Sequence, residues 1–294
     1  MQTYDQERPL FGGGGGGFVL PSLTPVVKRL LIAFAAIWVA TVVLDLAAPQ
    51  LLSKETREAD GSLSLTGLIP FFGATPYVWF DGFPWIYPWQ PLTFSFLHDP
   101  LSPWHLLTNA LMLYFFGTML EGTLGSRRFL SFYLLATVIA GCTSMVLRPM
   151  LGQVGPTIGA SGGAMAVVCA AAAMNPRATV LFWFIPIPLA WLAIGLVGFD
   201  VFNAIQQVFA DRVTGKDHFA HLAGAGFGFV AVRRGLIWRD ALESLERKRE
   251  ERVQKSRADD EAKLDELLER IHERGLQSLS EREKAFLKRM SKRS

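Results

Sequence analysis

Long apolar runs, separated by short polar or charged breaks, dominate the first 236 residues. The first covers about Leu30–Ala48, directly after Lys28 and Arg29, and holds a single acid, Asp45. Its length suits an α-helix that crosses the hydrocarbon core of a bilayer, which takes roughly 20 residues. Further runs cover about His105–Leu120, Phe129–Leu147, Ile158–Met174, Leu189–Ala210 and His218–Leu236. The pattern predicts an all-α polytopic membrane protein with six spans. The fourth run, opening in Ile158-Gly159-Ala160-Ser161-Gly162-Gly163, is short for a full crossing. Pro176–Pro188 is apolar but broken by Pro186 and Pro188, which places it at the interface. The segment Pro49–Trp104 is an external loop rich in Pro, Trp and Phe: Phe71-Phe72, Trp79-Phe80, Phe83-Pro84-Trp85 and Trp89. Its prolines argue against a helix, and its rings favour the headgroup layer.

The two ends differ from this middle. Residues 1–27 form a flexible leader containing Gly12–Gly17. Residues 28–236 form the membrane domain, with the long loop at about 49–104. Residues 237–294 form a charged, helical tail. Residues 239–294 alone carry 16 of the 29 Lys and Arg and 14 of the 26 Asp and Glu, so the remaining 238 residues are only about one-tenth charged. A soluble domain averages about a quarter; an ordinary soluble enzyme is excluded. In the tail, both signs alternate, which fits a solvated helix and argues against a nucleic-acid partner. Leu264, Leu267, Leu268 and Ile271 recur at helical spacing, Gly275 stops the helix, and Leu279, Phe286 and Leu287 suggest a second. The expectation is a small helical hairpin of unassigned partner, against the alternative of a solubilising tail.

Orientation follows from the loop cations. With the N-terminus inside, the cytoplasmic side receives Lys28, Arg29, Arg127, Arg128, Arg177, Arg233, Arg234 and the tail. The outside receives Lys54, Arg57, Arg148, Arg212 and Lys216. Both termini are therefore expected in the cytoplasm. Cys142 and Cys169 lie inside apolar runs and read as packing residues, not as a disulfide or a metal site.

Polar side chains deep in a membrane are costly, so each is a candidate for function. His105 and Asn109 are four residues apart on one face of the second span. Ser161 heads the fourth span between glycines. His221 opens the sixth, with Gly224 and Gly228 at i+3 and i+7 on its own face. Small residues at that spacing let helix backbones approach closely. The fourth span, with Gly159, Gly162 and Gly163, is the natural partner. Such packing brings Ser161 Oγ to a His221 ring nitrogen, the arrangement of an activated nucleophile and its base. Asn109, a His105 N–H and the Ser161 backbone N–H, which lacks an intrahelical acceptor, could then donate to a developing oxyanion. Taken singly, each residue has a plainer explanation: a packing serine, an interhelical hydrogen-bonding group, a satisfied histidine. None of these explains the set.

Gly159-Ala160-Ser161-Gly162, the His105-to-Asn109 spacing, and Ala220-His221-Leu222-Ala223-Gly224 through Gly228 together resemble a rhomboid intramembrane serine protease. The resemblance covers about residues 30–236, including span count and the long first loop. It implies Ser161 as nucleophile and His221 as general base, a dyad with no acidic third member. It implies His105 and Asn109 as oxyanion side chains, no metal, no cofactor, and transmembrane or membrane-anchored proteins as substrates. The first loop would be membrane-associated, and the tail resembles a charged segment appended to some bacterial members. A bacterial inner membrane is the location this resemblance implies. Two positions depart from the family pattern. Trp89-Gln90 stands where many members have Trp-Arg, which bears on loop anchoring. Met165 stands where many carry an aromatic that stacks on the catalytic histidine, which implies looser histidine positioning.

Two other functions compete. One is a non-catalytic rhomboid-like protein that binds transmembrane helices, whose usual mark is loss of the serine or histidine; this chain keeps both. The other is a small transporter using Asp45 and Asp200 as pathway acids, neither of which has a partner visible in the sequence.

Overall fold

The computed structural model describes residues 21–57, 63–76, 87–153, 155–182, 185–209, 216–238, 241–275, 277 and 279–290. The Gly12–Gly17 run, Arg212 and the loop aromatics Trp79, Phe80, Phe83 and Trp85 lie outside the described residues. The chain forms two compact units, residues 1–240 and 241–294.

Among the described residues, six longer helical segments build the first unit. They are α1 (Pro25–Ala47), a continuous run of α2 (Pro103–Met112), a π-helical turn (Leu113–Gly117) and α3 (Thr118–Leu124), then α4 (Ser126–Leu147), α5 (Ser161–Met174), α6 (Leu189–Phe209) and α7 (His218–Arg233). Pro25–Ala47, Ser126–Leu151 and Leu189–Phe209 are each long and apolar enough to cross a membrane. Their outward faces carry large exposed apolar side chains, such as Ile32, Val39 and Val43 on α1 and Trp191, Ile194, Phe199 and Phe202 on α6. In water these would be a large exposed patch; a bilayer is the solvent that suits them. The fold is an all-α polytopic membrane bundle.

Helix α5 is the centre. It has only 14 residues, a rise of about 21 Å, and Gly162–Ala172 are all buried. Its Gly, Ala, Val and Cys side chains are small enough for neighbours to press in from several sides. A Cβ on Gly163 would lie 2.7 Å from Thr137 Oγ1 and 2.8 Å from Tyr133 of α4. That face of α5 therefore belongs to α4, not to α7.

The start of α1 is held by a residue far along the chain. Glu121 accepts hydrogen bonds from the Val26 and Val27 backbone N–H groups, both at 2.9 Å, and from the Thr24 and Ser126 hydroxyls, both at 2.5 Å. First-turn N–H groups have no intrahelical acceptor, and a carboxylate there also suits the helix dipole.

The long first loop contains helix after all. Short helices cover Pro49–Leu52, Leu68–Phe72 and Gln90–Thr93. Proline blocks a helix interior but fits its first turn, where Pro49, Pro91 and also Pro103 of α2 sit. Strands β1 (Lys54–Arg57) and β2 (Leu63–Thr66) form a small antiparallel ribbon within the loop. Phe71, Tyr87 and Trp89 cluster as mutually tilted rings with centroids 4.9–5.0 Å apart. Gln90, fully buried, donates to Pro70 O at 2.8 Å and accepts from Thr75 N at 3.3 Å. The amide thus ties the loop to itself at the position where the family pattern has arginine. A second ribbon, β3 (Thr179–Phe182) with β4 (Ile185–Pro188), occupies the proline-broken stretch before α6.

The second unit is a helical hairpin. Helix α8 (Ala241–Arg274) ends at Gly275, whose φ of 76° is a left-handed value that closes a helix at little cost in glycine. Helix α9 (Glu281–Met290) folds back so that Leu267, Leu279 and Phe286 are buried together, flanked by Leu264, Ile271, Leu287 and Met290. Ser280 and Glu283 make reciprocal side-chain-to-backbone contacts at the start of α9, a capping box. Arg270 pairs with Glu283 at 2.9 Å and with Glu266 at 2.5 Å.

Candidate active site

Ser161 is the first residue of α5, and His221 lies in the first turn of α7. Their side chains meet: Ser161 Oγ is 2.6 Å from His221 Nε2. The backbones behind them are in contact. A Cβ on Gly224 would lie 2.0 Å from Gly162 O, and one on Gly228 would lie 2.2 Å from Ala166 O. A Cβ on Gly162 would lie 2.6 Å from Ala140 Cβ and 3.2 Å from Ala220 O. Nothing larger than hydrogen fits at these positions, so Gly224 and Gly228 set the α5–α7 separation on which the serine–histidine contact depends, and Gly162 lets α4 close on α5 beside it.

A polar clamp fixes the register of the same two elements. Asp217 caps α7 by accepting from Ala220 N at 3.0 Å. The same carboxylate accepts from Thr157 Oγ1 at 2.9 Å and from the Ser144 hydroxyl of α4. Arg148 reaches Gly155 O at 2.8 Å and also contacts Thr157. The start of α7, the end of α4 and the segment leading to Ser161 are thereby tied together. The first loop joins them through an antiparallel bridge between Ala74 and Thr157 and through Gly159 N donating to Phe94 O at 2.9 Å.

On the other side of Ser161 stand His105 and Asn109 of α2. Gly159 has a φ of 120° and faces these residues, not α7: a Cβ there would lie 2.5 Å from His105 Nε2 and 3.7 Å from Asn109 Nδ2. Glycine is required here both by the backbone angle and by the imidazole. His105 Nδ1 faces the Asp99 N–H at 3.5 Å, an arrangement that leaves Nε2 as the ring donor. The Asn109 amide nitrogen is buried and has no hydrogen-bond partner among the described residues. A buried amide donor without an acceptor is unusual unless a ligand supplies one. The Ser161 N–H, at the first helical position, adds a third donor. A hydroxyl, an imidazole and several N–H donors therefore converge around the head of α5, a set whose chemistry suits acyl transfer.

The histidine has a second partner. Asp200, in α6 and 4% exposed, accepts on one oxygen from His221 Nδ1 at 2.9 Å and from His218 Nδ1 at 2.6 Å. The three ligand-type atoms lie within 4.8 Å of one another. Both nitrogens point at one carboxylate oxygen at hydrogen-bond separations. Ligand atoms around a tetrahedral ion with bonds of about 2.0–2.1 Å sit roughly 3.3 Å apart. The spacing is that of shared protons. Asp200 is thus not the isolated pathway acid that a transporter would need, and the expected dyad has an acid against it.

Neither Asp200 nor His218 stood out in the sequence as part of this cluster. For His218 a signal existed: it lies three residues before His221, on the same face of one helix. For Asp200 the only signal was its cost, a carboxylate in the middle of an apolar run.

Residues 87–236, half of the chain, match the family model of the rhomboid domain. The chain belongs to the rhomboid family. Residues 248–293 match a family of unknown function. Relatives of this rhomboid include the presenilin-associated rhomboid-like protein, mitochondrial, of Rattus norvegicus, 32% identical over 148 residues that cover 47% of this chain and 37% of that protein. Rhomboid protein 1, mitochondrial, of Saccharomyces cerevisiae is 35% identical over 131 residues, 43% of this chain and 36% of its own. RHOMBOID-like protein 12, mitochondrial, of Arabidopsis thaliana is 26% identical over 159 residues, 49% of this chain and 46% of its own. The chain spans less than half the length of these relatives. Their names correct one expectation. All are mitochondrial proteins, which points away from the bacterial inner membrane that the sequence resemblance implied, and so from the cytoplasmic termini read from the loop cations. Integration into a membrane stands.

Proposed function

We propose that this rhomboid is a serine endopeptidase that cleaves transmembrane or membrane-anchored proteins in the plane of the bilayer. The observation that carries the reading is the 2.6 Å contact between Ser161 Oγ and His221 Nε2. Ser161 attacks the scissile carbonyl while His221 takes its proton; the imidazolium returns that proton to the leaving amine. A water molecule then hydrolyses the acyl-enzyme, with His221 again as the base. Negative charge on the carbonyl oxygen is met by the Asn109 amide, His105 Nε2–H and the Ser161 N–H. Gly159, Gly162, Gly224 and Gly228 support the geometry by permitting close approach. Residues 28–236 carry the reaction in this reading, with residues 237–294 as a helical appendage. Neither cofactor nor metal enters the scheme.

The test is cleavage of a single-span substrate in liposomes by the native protein and by Ser161→Ala and His221→Ala. Fluorophosphonate labelling of Ser161 is measured alongside. Cleavage lost in both variants, with labelling lost in His221→Ala, is the expected result. Folded native protein that neither cleaves nor labels would overturn the reading and leave helix binding without chemistry.

A further inference from the structure

We infer that Asp200 is a positioning residue that completes a Ser161–His221–Asp200 triad, itself pinned from the far side by His218. The inference rests on the protease reading above and deepens it.

A neutral imidazole carries one N–H and one lone pair, and either nitrogen can hold the proton. For His221 to take the serine proton, the lone pair must be on Nε2, the nitrogen 2.6 Å from Ser161 Oγ. An ionised carboxylate only accepts. With Asp200 Oδ1 at 2.9 Å, the proton is therefore held on Nδ1 and the lone pair is turned to the serine. Without Asp200 the other tautomer competes, and its Nε2–H would face the hydroxyl as a donor.

The carboxylate is positioned as carefully as the imidazole. Asp200 is 4% exposed and comes from α6, a different helix from either partner. His218 Nδ1 binds the same oxygen at 2.6 Å from a fully buried ring. The His218 and His221 rings stand edge-to-face, with centroids 5.9 Å apart and planes at 88°. Because the two histidines are three residues apart, one face of α7 delivers both to the carboxylate. A buried carboxylate without such partners would be costly. Two N–H donors on one oxygen offset that cost and fix its direction.

The arrangement also accounts for Met165. The position four after the serine holds no aromatic ring to stack on His221. Here the imidazole is held at its edge by hydrogen bonding, through Asp200, in place of its face.

The chemical steps balance with Asp200 remaining a carboxylate throughout. As the Ser161 Oγ–carbon bond forms, the hydroxyl proton moves to His221 Nε2. The imidazolium keeps its Nδ1–H on Asp200, whose charge offsets the new positive charge. The Nε2 proton then moves to the leaving nitrogen as the peptide C–N bond breaks. A water gives its proton to Nε2 as its oxygen attacks the ester, and Ser161 recovers that proton when the ester bond breaks.

The experiment measures kcat and KM for a single-span substrate in liposomes with the native protein, Asp200→Asn, Asp200→Glu and His218→Asn. Thermal unfolding and the rate of fluorophosphonate labelling of Ser161 are followed in parallel. Asparagine keeps the shape but can present a donor to Nδ1, so kcat and labelling should fall together by about 10³–10⁴-fold, the scale of a wrong-tautomer triad. KM should stay within about twofold, since Asp200 does not touch substrate. Glutamate restores a measurable fraction of kcat, and His218→Asn costs less, about tenfold. A residue with only a structural role would lower stability without this split between kcat and KM. Native kcat in folded Asp200→Asn, with cleavage still dependent on Ser161, would overturn the triad and leave the protease reading intact. No cleavage or labelling by the native protein would overturn the protease reading itself. Should Asp200→Asn not fold, His218→Asn decides: unchanged kcat overturns the pinned carboxylate.

Discussion

Replacing Gly224 with alanine adds one methyl group at the tightest point of the α5–α7 seam. The new Cβ would lie 2.0 Å from Gly162 O, a backbone atom that no rotamer change can move. Ordinary contact begins near 3.4 Å, so the helices must separate or slide by about 1.4 Å at that level. Gly224 is one turn from His221 and Gly162 directly follows Ser161, so most of this shift is transmitted to the Ser161–His221 contact. Lengthened from 2.6 Å to beyond 3.5 Å, the contact is no longer a hydrogen bond. Overpacking of this kind costs about 1–3 kcal/mol of stability, and a misplacement of roughly 1 Å in a catalytic group costs about 100-fold in rate. Gly224→Ala should therefore remain folded with a lowered unfolding temperature while kcat falls about 100-fold. Gly226→Ala is the control in the same helix: nothing lies within 4 Å of its Cβ, so it should be neutral or slightly stabilising. Liposome cleavage, Ser161 labelling and thermal unfolding of both variants decide the matter. Native kcat and unfolding temperature in Gly224→Ala would refute the claim that backbone contact sets the site.

Two further predictions are independent of the seam. Asn109→Ala removes a donor whose nitrogen has no partner among the described residues, so kcat should fall about 100-fold or more with little change in unfolding temperature; unchanged kcat removes Asn109 from the chemistry. In the tail, the Ser280 hydroxyl and N–H, then Arg270, hold the Glu283 carboxyl below the usual glutamate range. A depressed folded-state value means that its contribution is fully present above about pH 4.3, the free glutamate value, and is lost as pH falls through the folded one. Hydrogen exchange across residues 281–290 in the full chain should be unaffected from pH 7 to 5 and accelerate relative to the intrinsic rate below about pH 4; acceleration that begins near neutrality would contradict the assignment.

Much of the fold is legible along the chain because a bilayer imposes simple rules. Span length and the need to satisfy backbone hydrogen bonds inside hydrocarbon make apolar runs read as helices, and the charge-rich C-terminal segment stands out against them. The first loop was less legible. Its prolines read as helix breakers, but Pro49 and Pro91 occupy first turns, where no backbone hydrogen bond is lost. The ribbon at Thr179–Pro188 was likewise hidden in a stretch whose prolines said only what it could not be.

At the candidate site, local periodicity carries information along one helix and none between helices. The spacing of His221, Gly224 and Gly228 follows from 3.6 residues per turn and is a property of the sequence alone. Which neighbour each glycine meets is not: Gly162 lies between Ala140 of α4 and Ala220 of α7, Gly163 faces α4, and Gly159 faces His105. The same limit hid Asp200. It lies 18 and 21 residues before His218 and His221, on a helix whose rotation nothing in its own apolar sequence reveals. Only the packing of α6 against α7 turns that carboxylate onto the two histidines. Polar groups in apolar runs can be picked out one by one along the chain; which of them share a proton follows from how the helices pack.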